Sequence, residues 1–210
     1  RRTLGRMNLQ AVIFDLDNVL VTTERYRLQA WYRLCRDNAW RFSGRAGDET
    51  DTLRRILREN GVAYDDVDTK ALLAKKDQYY RDAVIAMESD DFFPGAVGFV
   101  IELRAFEVLT AIATTAAAGG RIVTAMDMGE LFDSVVTDEA APLSELLSRS
   151  VEELSLSPAD AVFFSDDEEK LAVAAALGMS SVGVGSPDRL ADADLVISTF
   201  SDIEITQFLR

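Results

Sequence analysis

From about residue 95 to residue 197 the chain alternates short apolar runs with stretches of helical periodicity, and this alternation limits the fold more than any other feature. The runs cover residues 108–113, 134–137, 161–165, 181–184 and 195–197, each too short for a helix and apolar on both faces. Helical stretches lie between them, at about 119–126, 144–154 and 168–177. Strands that are apolar on both sides and joined through helices form a parallel sheet covered on both faces. One more such run, residues 10–14 (QAVIF), stands far upstream. The expected fold is therefore α/β, a doubly wound parallel sheet with ligands at the carboxyl ends of its strands.

The stretch between the first strand and the alternating region is helical throughout. Periodicity covers about 24–38, 49–60 and 69–88, with a turn-like segment at 61–68 and a break at Phe93-Pro94-Gly95. Residues 23–90 thus read as an inserted helical cap, and residues 7–22 with 91–210 as the core. Met7 reads as a natural start, with six residues ahead of it.

Composition narrows the chemistry. At 48% hydrophobic residues the chain can bury a full core, and 22 basic against 36 acidic residues leave it at −14. So acidic a surface repels nucleic acid and anionic membranes, and neither is expected as a partner. A single cysteine, Cys35, allows no internal disulfide and suits a reducing compartment, so the cytoplasm is the expected location. Cys35 falls in a helical stretch and reads as a buried apolar residue rather than a nucleophile. The chain contains no histidine, which removes Ser-His, Cys-His and His-metal chemistry together. Any catalysis falls to carboxylates, hydroxyls or lysines.

Two strands end in acidic residues. Val12-Ile13-Phe14 runs into Asp15-Leu16-Asp17, which puts two carboxylates just past a buried strand. The first can attack phosphorus and become an aspartyl phosphate, and the second can pass a proton to the leaving oxygen. Ala161–Phe164 runs into Ser165-Asp166-Asp167, and a parallel sheet brings that cluster to the same edge. Three carboxylates with a phosphate need a cation, and oxygen-only donors imply Mg²⁺, with Asp15, Asp17 and Asp166 as its ligands. Thr114, followed by Thr115, ends another strand, where a hydroxyl and nearby backbone amides can hold a phosphoryl group. Taken singly, each feature also has a plain reading. Asp and Asn are common in strand-end turns, Asp166 or Asp167 can cap a helix, and threonine is a good strand former.

Together these segments resemble the haloacid dehalogenase superfamily, and more closely its β-phosphoglucomutase-like branch. The residues that carry the resemblance are Asp15–Val19 (DLDNV), Thr23, Tyr26 and Trp31, Lys75-Lys76-Asp77-Gln78-Tyr79-Tyr80, and Phe93-Pro94-Gly95. The resemblance implies a Rossmann-like core, a helical cap and Mg²⁺. It makes Asp15 the nucleophile, Asp17 the acid/base and Asp166 the main metal ligand. Lys76 falls on the branch's substrate-facing cap lysine, and Arg45 lies nearest its cap arginine. The implied activity is phosphoryl transfer on a small phosphorylated metabolite of the sugar-phosphate kind, as a phosphatase or a mutase.

The departures from that pattern are concentrated. The superfamily's lysine, which neutralises nucleophile and phosphoryl group, falls on Ala141 beside Pro142, and no lysine occurs between Lys76 and Lys170. The loop after Thr114, where serine, lysine and asparagine donors are usual, reads Ala116-Ala117-Ala118. The nucleophile end is kept while the phosphate clamp is stripped. Charge stabilisation is usually the largest catalytic term in phosphoryl transfer. The alternative expectation is therefore a divergent member with weak or no turnover and a binding or regulatory role.

Overall fold

A computed structural model describes residues 9–203 and residue 205; the expected start at Met7 lies outside the described residues. Six parallel strands form one sheet in the order β3-β2-β1-β4-β5-β6. They are β1 (Ala11–Phe14), β2 (Leu109–Thr114), β3 (Ser134–Thr137), β4 (Ala161–Ser165), β5 (Ser180–Val184) and β6 (Leu195–Ile197). The upstream strand β1 sits in the middle, paired to β2 through Phe14↔Ile112 and to β4 through Phe14↔Phe164. Both neighbours are buried, so β1 can carry a continuous apolar run and end in the most enclosed part of the sheet edge.

Helices α1 (Glu24–Asp37), α2 (Glu49–Glu59) and α3 (Thr69–Ala83) follow β1. Helices α4 (Ala96–Ala105), α5 (Gly119–Ala125), α6 (Leu143–Glu153) and α7 (Glu168–Ala176) lie among the later strands. Helix α4 was not anticipated. Its sequence, AVGFVIELRA, is apolar with little sidedness, and it starts from Gly95, which holds the left-handed φ of 82° that suits glycine. The helix expected over 69–88 stops at Ala83, and a single tighter turn, Val84–Ala86, completes it.

Alternate residues of each strand serve opposite faces. Ile13, Ala111 and Phe163 join Leu146, Leu147 and Val151 of α6 and Leu171 and Ala174 of α7 in one apolar layer. On the other face Phe14 and Phe164 (ring centroids 5.2 Å apart) meet Phe99 of α4, Phe132 and Phe200. Truncating a buried phenylalanine in such a layer costs about 3–5 kcal/mol.

The chain divides into two compact units, one reaching up to Thr22 and resuming at Glu88, the other Thr23–Met87. The second is helical, and its later boundary falls a few residues ahead of the expected 90/91. Within it α1 packs on α3, burying Tyr26, Ala30, Trp31, Leu34 and Cys35 at helical spacing. Asp48 and Asp68 cap α2 and α3 by accepting from the amides of Asp51 and Ala71, each at 3.0 Å. Among the described residues no helix is long and apolar enough to cross a membrane.

Candidate active site

Asp15 follows β1 directly, and its amide donates to the Phe164 carbonyl at 2.9 Å, extending the β1–β4 ladder by one residue. Its side chain is therefore fixed at the carboxyl edge, and it is only 1% exposed. Both carboxylate oxygens are fully engaged. Oδ1 accepts from the Leu16 amide at 2.8 Å and from Thr114 Oγ1 at 2.7 Å. Oδ2 accepts from Ser165 Oγ at 3.2 Å and from Lys170 Nζ at 2.7 Å. A carboxylate offers about four lone-pair sites, and here four donors fill them.

Each donor comes from a strand end or the turn after it. Thr114 is the last residue of β2, fully buried, and its oxygen also accepts from the Ala116 amide at 3.1 Å. Thr115 follows, half-buried. Gly119 packs against this end of β2: a Cβ there would stand 3.1 Å from Thr114 Cγ2, a tight contact that a larger residue could make only by pushing the threonine aside. Ser165 closes β4. Asp167 then caps α7 by accepting from the Lys170 amide at 3.1 Å, which fixes Lys170 in the first helical turn. Side chains of a helix tilt toward its N-terminus, so the lysine reaches back to the sheet edge.

The Asp15–Val21 turn folds over the same edge. Asn18 takes a left-handed φ of 57°, a conformation asparagine tolerates, and its Nδ2 donates to Asp166 Oδ2 at 2.9 Å. Asp17 is half-buried and pairs through its backbone with Val21. Burial raises the Asp166 carboxyl above its usual range against the Asn18 hydrogen bond, and the charges of Asp15 and Asp17 add to the rise. Burial works to lower the Lys170 ammonium. The charge of Asp15, its hydrogen bond, and the charges of Asp167 and Asp166 outweigh it and hold the group above the ordinary lysine value.

The structure thus gathers Asp15, Asp17, Thr114 and Asp166 on one edge, and adds Ser165 and Lys170. Lys170 was not among the expected site residues. The signal for it was available: an aspartate cap three residues ahead places a lysine one turn from a strand end. The expected clamp position is apolar, with the Ala141 methyl packed against the α6–α7 core layer. In the loop after β2 the Ala118 amide donates to Glu139 Oε1 at 2.8 Å, so a carboxylate already sits on a backbone donor there.

The helical unit holds the two expected cap residues. Lys76 is buried and bound within that unit, to Glu49 and, at 2.9 Å, to Asp77, with its ammonium 5.5 Å from the Trp31 ring. Arg45 lines an open recess of about 630 Å³ with Arg54, Arg55 and Arg58, and its carbonyl accepts from Arg55.

The expected metal ligands suit Mg²⁺ in donor chemistry, being carboxylates only. Their arrangement does not suit it. Among the described residues no group of three or more His, Cys, Asp or Glu side chains is placed to hold a metal ion. Lys170 and Ser165 occupy Asp15 Oδ2, and Asn18 occupies Asp166 Oδ2.

Residues 9–178 match the family model described as haloacid dehalogenase-like hydrolase. The chain is 25% identical over 211 aligned residues to the β-phosphoglucomutase of Bacillus subtilis, covering 94% of the chain and 92% of that protein. Among solved structures it is similar to β-phosphoglucomutase from Clostridium difficile (TM-score 0.71, 20% identity, 94% of each chain). It is also similar to CbbY from Rhodobacter sphaeroides in complex with xylulose-(1,5)bisphosphate (TM-score 0.69, 16% identity, 95% of this chain and 99% of that one).

Proposed function

The chain belongs to the haloacid dehalogenase-like hydrolases, with its similarity running to the β-phosphoglucomutase-like branch, and on that premise we propose that it transfers the phosphoryl group of a small sugar phosphate to Asp15 and then to water. The observation that carries this reading is the Asp15 carboxylate, buried at the strand edge and held on both oxygens by Leu16, Thr114, Ser165 and Lys170.

In the first step Asp15 Oδ2 gives up its longest hydrogen bond, from Ser165, and attacks phosphorus while the bond to the leaving oxygen breaks and Asp17 gives that oxygen its proton. The products are an aspartyl phosphate and a free hydroxyl. In the second step Asp17 takes a proton from water, the water oxygen attacks phosphorus, and the carboxylate of Asp15 is released with inorganic phosphate. Thr114 and the neighbouring amides orient the phosphoryl oxygens, and Lys170 offsets the charge that gathers around Asp15. Mg²⁺ is the cofactor the family resemblance implies. Here it would contend with Lys170 for Asp15 Oδ2, so these steps are carried by the chain's own groups.

Hydrolysis is favoured over a mutase cycle. A mutase must hold a second phosphate, and the loop that would do so offers Ala116–Ala118 with Glu139 on the Ala118 amide. Lys76 is neutralised by Glu49 and Asp77, so the accessible positive charge of the helical unit is that of the arginines lining the Arg45 recess.

The test is phosphate release from 4-nitrophenyl phosphate and a sugar-phosphate panel, with Asp15→Asn beside the wild type. Turnover that vanishes in Asp15→Asn, and a beryllium fluoride adduct formed only by wild type, support the reading. No Asp15-dependent turnover together with no adduct overturns it in favour of a binding role.

A further inference from the structure

We infer that Lys170 is the resident cation of this edge, its ammonium bound to Asp15 on the flank that also carries Asp166, so that the site keeps its charge balance without a metal. The inference rests on the reading of Asp15 as the reacting group, but its test does not depend on turnover.

Topology gives the first argument. A clamp lysine at position 141 would come from the loop after β3, on the β2 side of Asp15. Lys170 arrives instead from the β4 side, in the same loop-and-helix segment as Asp166 and Asp167. The cation has therefore not merely been replaced. It has crossed to the flank where carboxylates converge and where a metal would bind.

The second argument is occupancy. Lys170 Nζ lies 2.7 Å from Asp15 Oδ2, an oxygen that Ser165 also uses. A divalent ion at that oxygen would meet the ammonium at close range, and the repulsion between the two cations weakens its binding. Asp166 offers only part of itself, since Asn18 holds its Oδ2. The third argument is tethering. The Asp167 cap fixes the first turn of α7, so the ammonium is delivered by a short, ordered segment, and its side chain is only 28% exposed. Such a cation is present at every metal concentration, and the dehydration of its ammonium is met when the chain folds.

Mn²⁺ binding followed by paramagnetic resonance, with thermal midpoints in EDTA and in millimolar Mg²⁺, tests this on the whole chain. Wild type should bind Mn²⁺ weakly and melt at the same temperature in both media. Lys170→Gln should bind one Mn²⁺ per chain tighter by about tenfold or more, melt lower than wild type in EDTA, and recover with Mg²⁺. Lys170→Arg, which keeps the charge, should stay as indifferent to metal as wild type, and this variant carries the test if Lys170→Gln fails to fold. Wild type that binds one Mn²⁺ tightly with a raised midpoint overturns the inference. So does Lys170→Gln that folds and stays metal-indifferent, or Lys170→Arg that gains metal affinity. A wild type that lacks phosphatase turnover leaves every one of these readings interpretable.

Discussion

On the β2–β3 flank of Asp15 the chain presents the hydroxyls of Thr114 and Thr115 and then methyl groups, whereas on the β4 flank Ser165, Asp166, Asp167 and Lys170 crowd into residues 165–170. Both flanks have to manage the same buried negative charge. The first does so with hydrogen bonds from Thr114 and Leu16, the second with a full positive charge on Oδ2. Removing one partner of a buried ion pair is costly because the other is left without compensation. Position 141 carries no charge and the positive charge on Asp15 comes from the opposite side, so the two flanks are not interchangeable.

That asymmetry can be broken deliberately. Lys170→Gln should have the largest effect, lowering kcat/KM by about 10²- to 10³-fold in the phosphate-release assay with folding intact by circular dichroism. Thr114→Val should cost less, about tenfold, because the Leu16 amide still holds Oδ1. An equal or larger loss in Thr114→Val would reverse the ranking of the flanks. Adding Ala141→Lys to Lys170→Gln should recover about tenfold by restoring a cation on the depleted side, at a stability cost of about 1 kcal/mol for disturbing the packed methyl. If the added lysine recovers nothing, the β3 loop does not address Asp15. Glu139→Gln should tighten inhibition by inorganic phosphate by about threefold, since it takes a negative charge away from the Ala118 amide.

A control on burial alone comes from the helical unit. Lys170 is half-buried among carboxylates that more than compensate, but Cys35 is buried with nothing to stabilise its thiolate, and burial, with the Glu59 charge beside it, pushes the thiol from 9.0 up to about 11. The unfolded thiol ionises from about 9 while the folded one does not, so stability should drain as pH climbs from about 9 to about 11. Denaturant titrations of wild type and Cys35→Ala across that range check the sign, and the thiol should react with a disulfide reagent at neutral pH only after unfolding.

The strands were legible because a parallel strand buried on both faces leaves an apolar run that nothing else in an α/β chain imitates at that length. Residues 134–137, 161–165 and 195–197 end where expected, and β2 ends on Thr114, one residue past its apolar run. Helix α4 was illegible for the opposite reason: Ala96–Ala105 has no polar stripe to set a period. At the site, the acidic strand ends could be read because they interrupt apolar runs. Lys170 was harder to read, since a lysine after four acidic residues resembles a solvated first turn unless the Asp167 cap ahead of it is taken into account. The engagement of Lys76 with Glu49 was hidden because those residues lie on different helices, and pairing across helices leaves no trace in spacing.

The first turn of α7 has a consequence for inheritance. Asp166, the helix cap and the ammonium sit within five consecutive residues, 166–170, so one short stretch of coding sequence specifies both the carboxylate and its counterion. A single codon change at position 170 would add or remove the tethered charge without touching the strand that positions Asp15. The counterion of Asp15 therefore does not depend on which side chain stands at position 141 in the β3 loop.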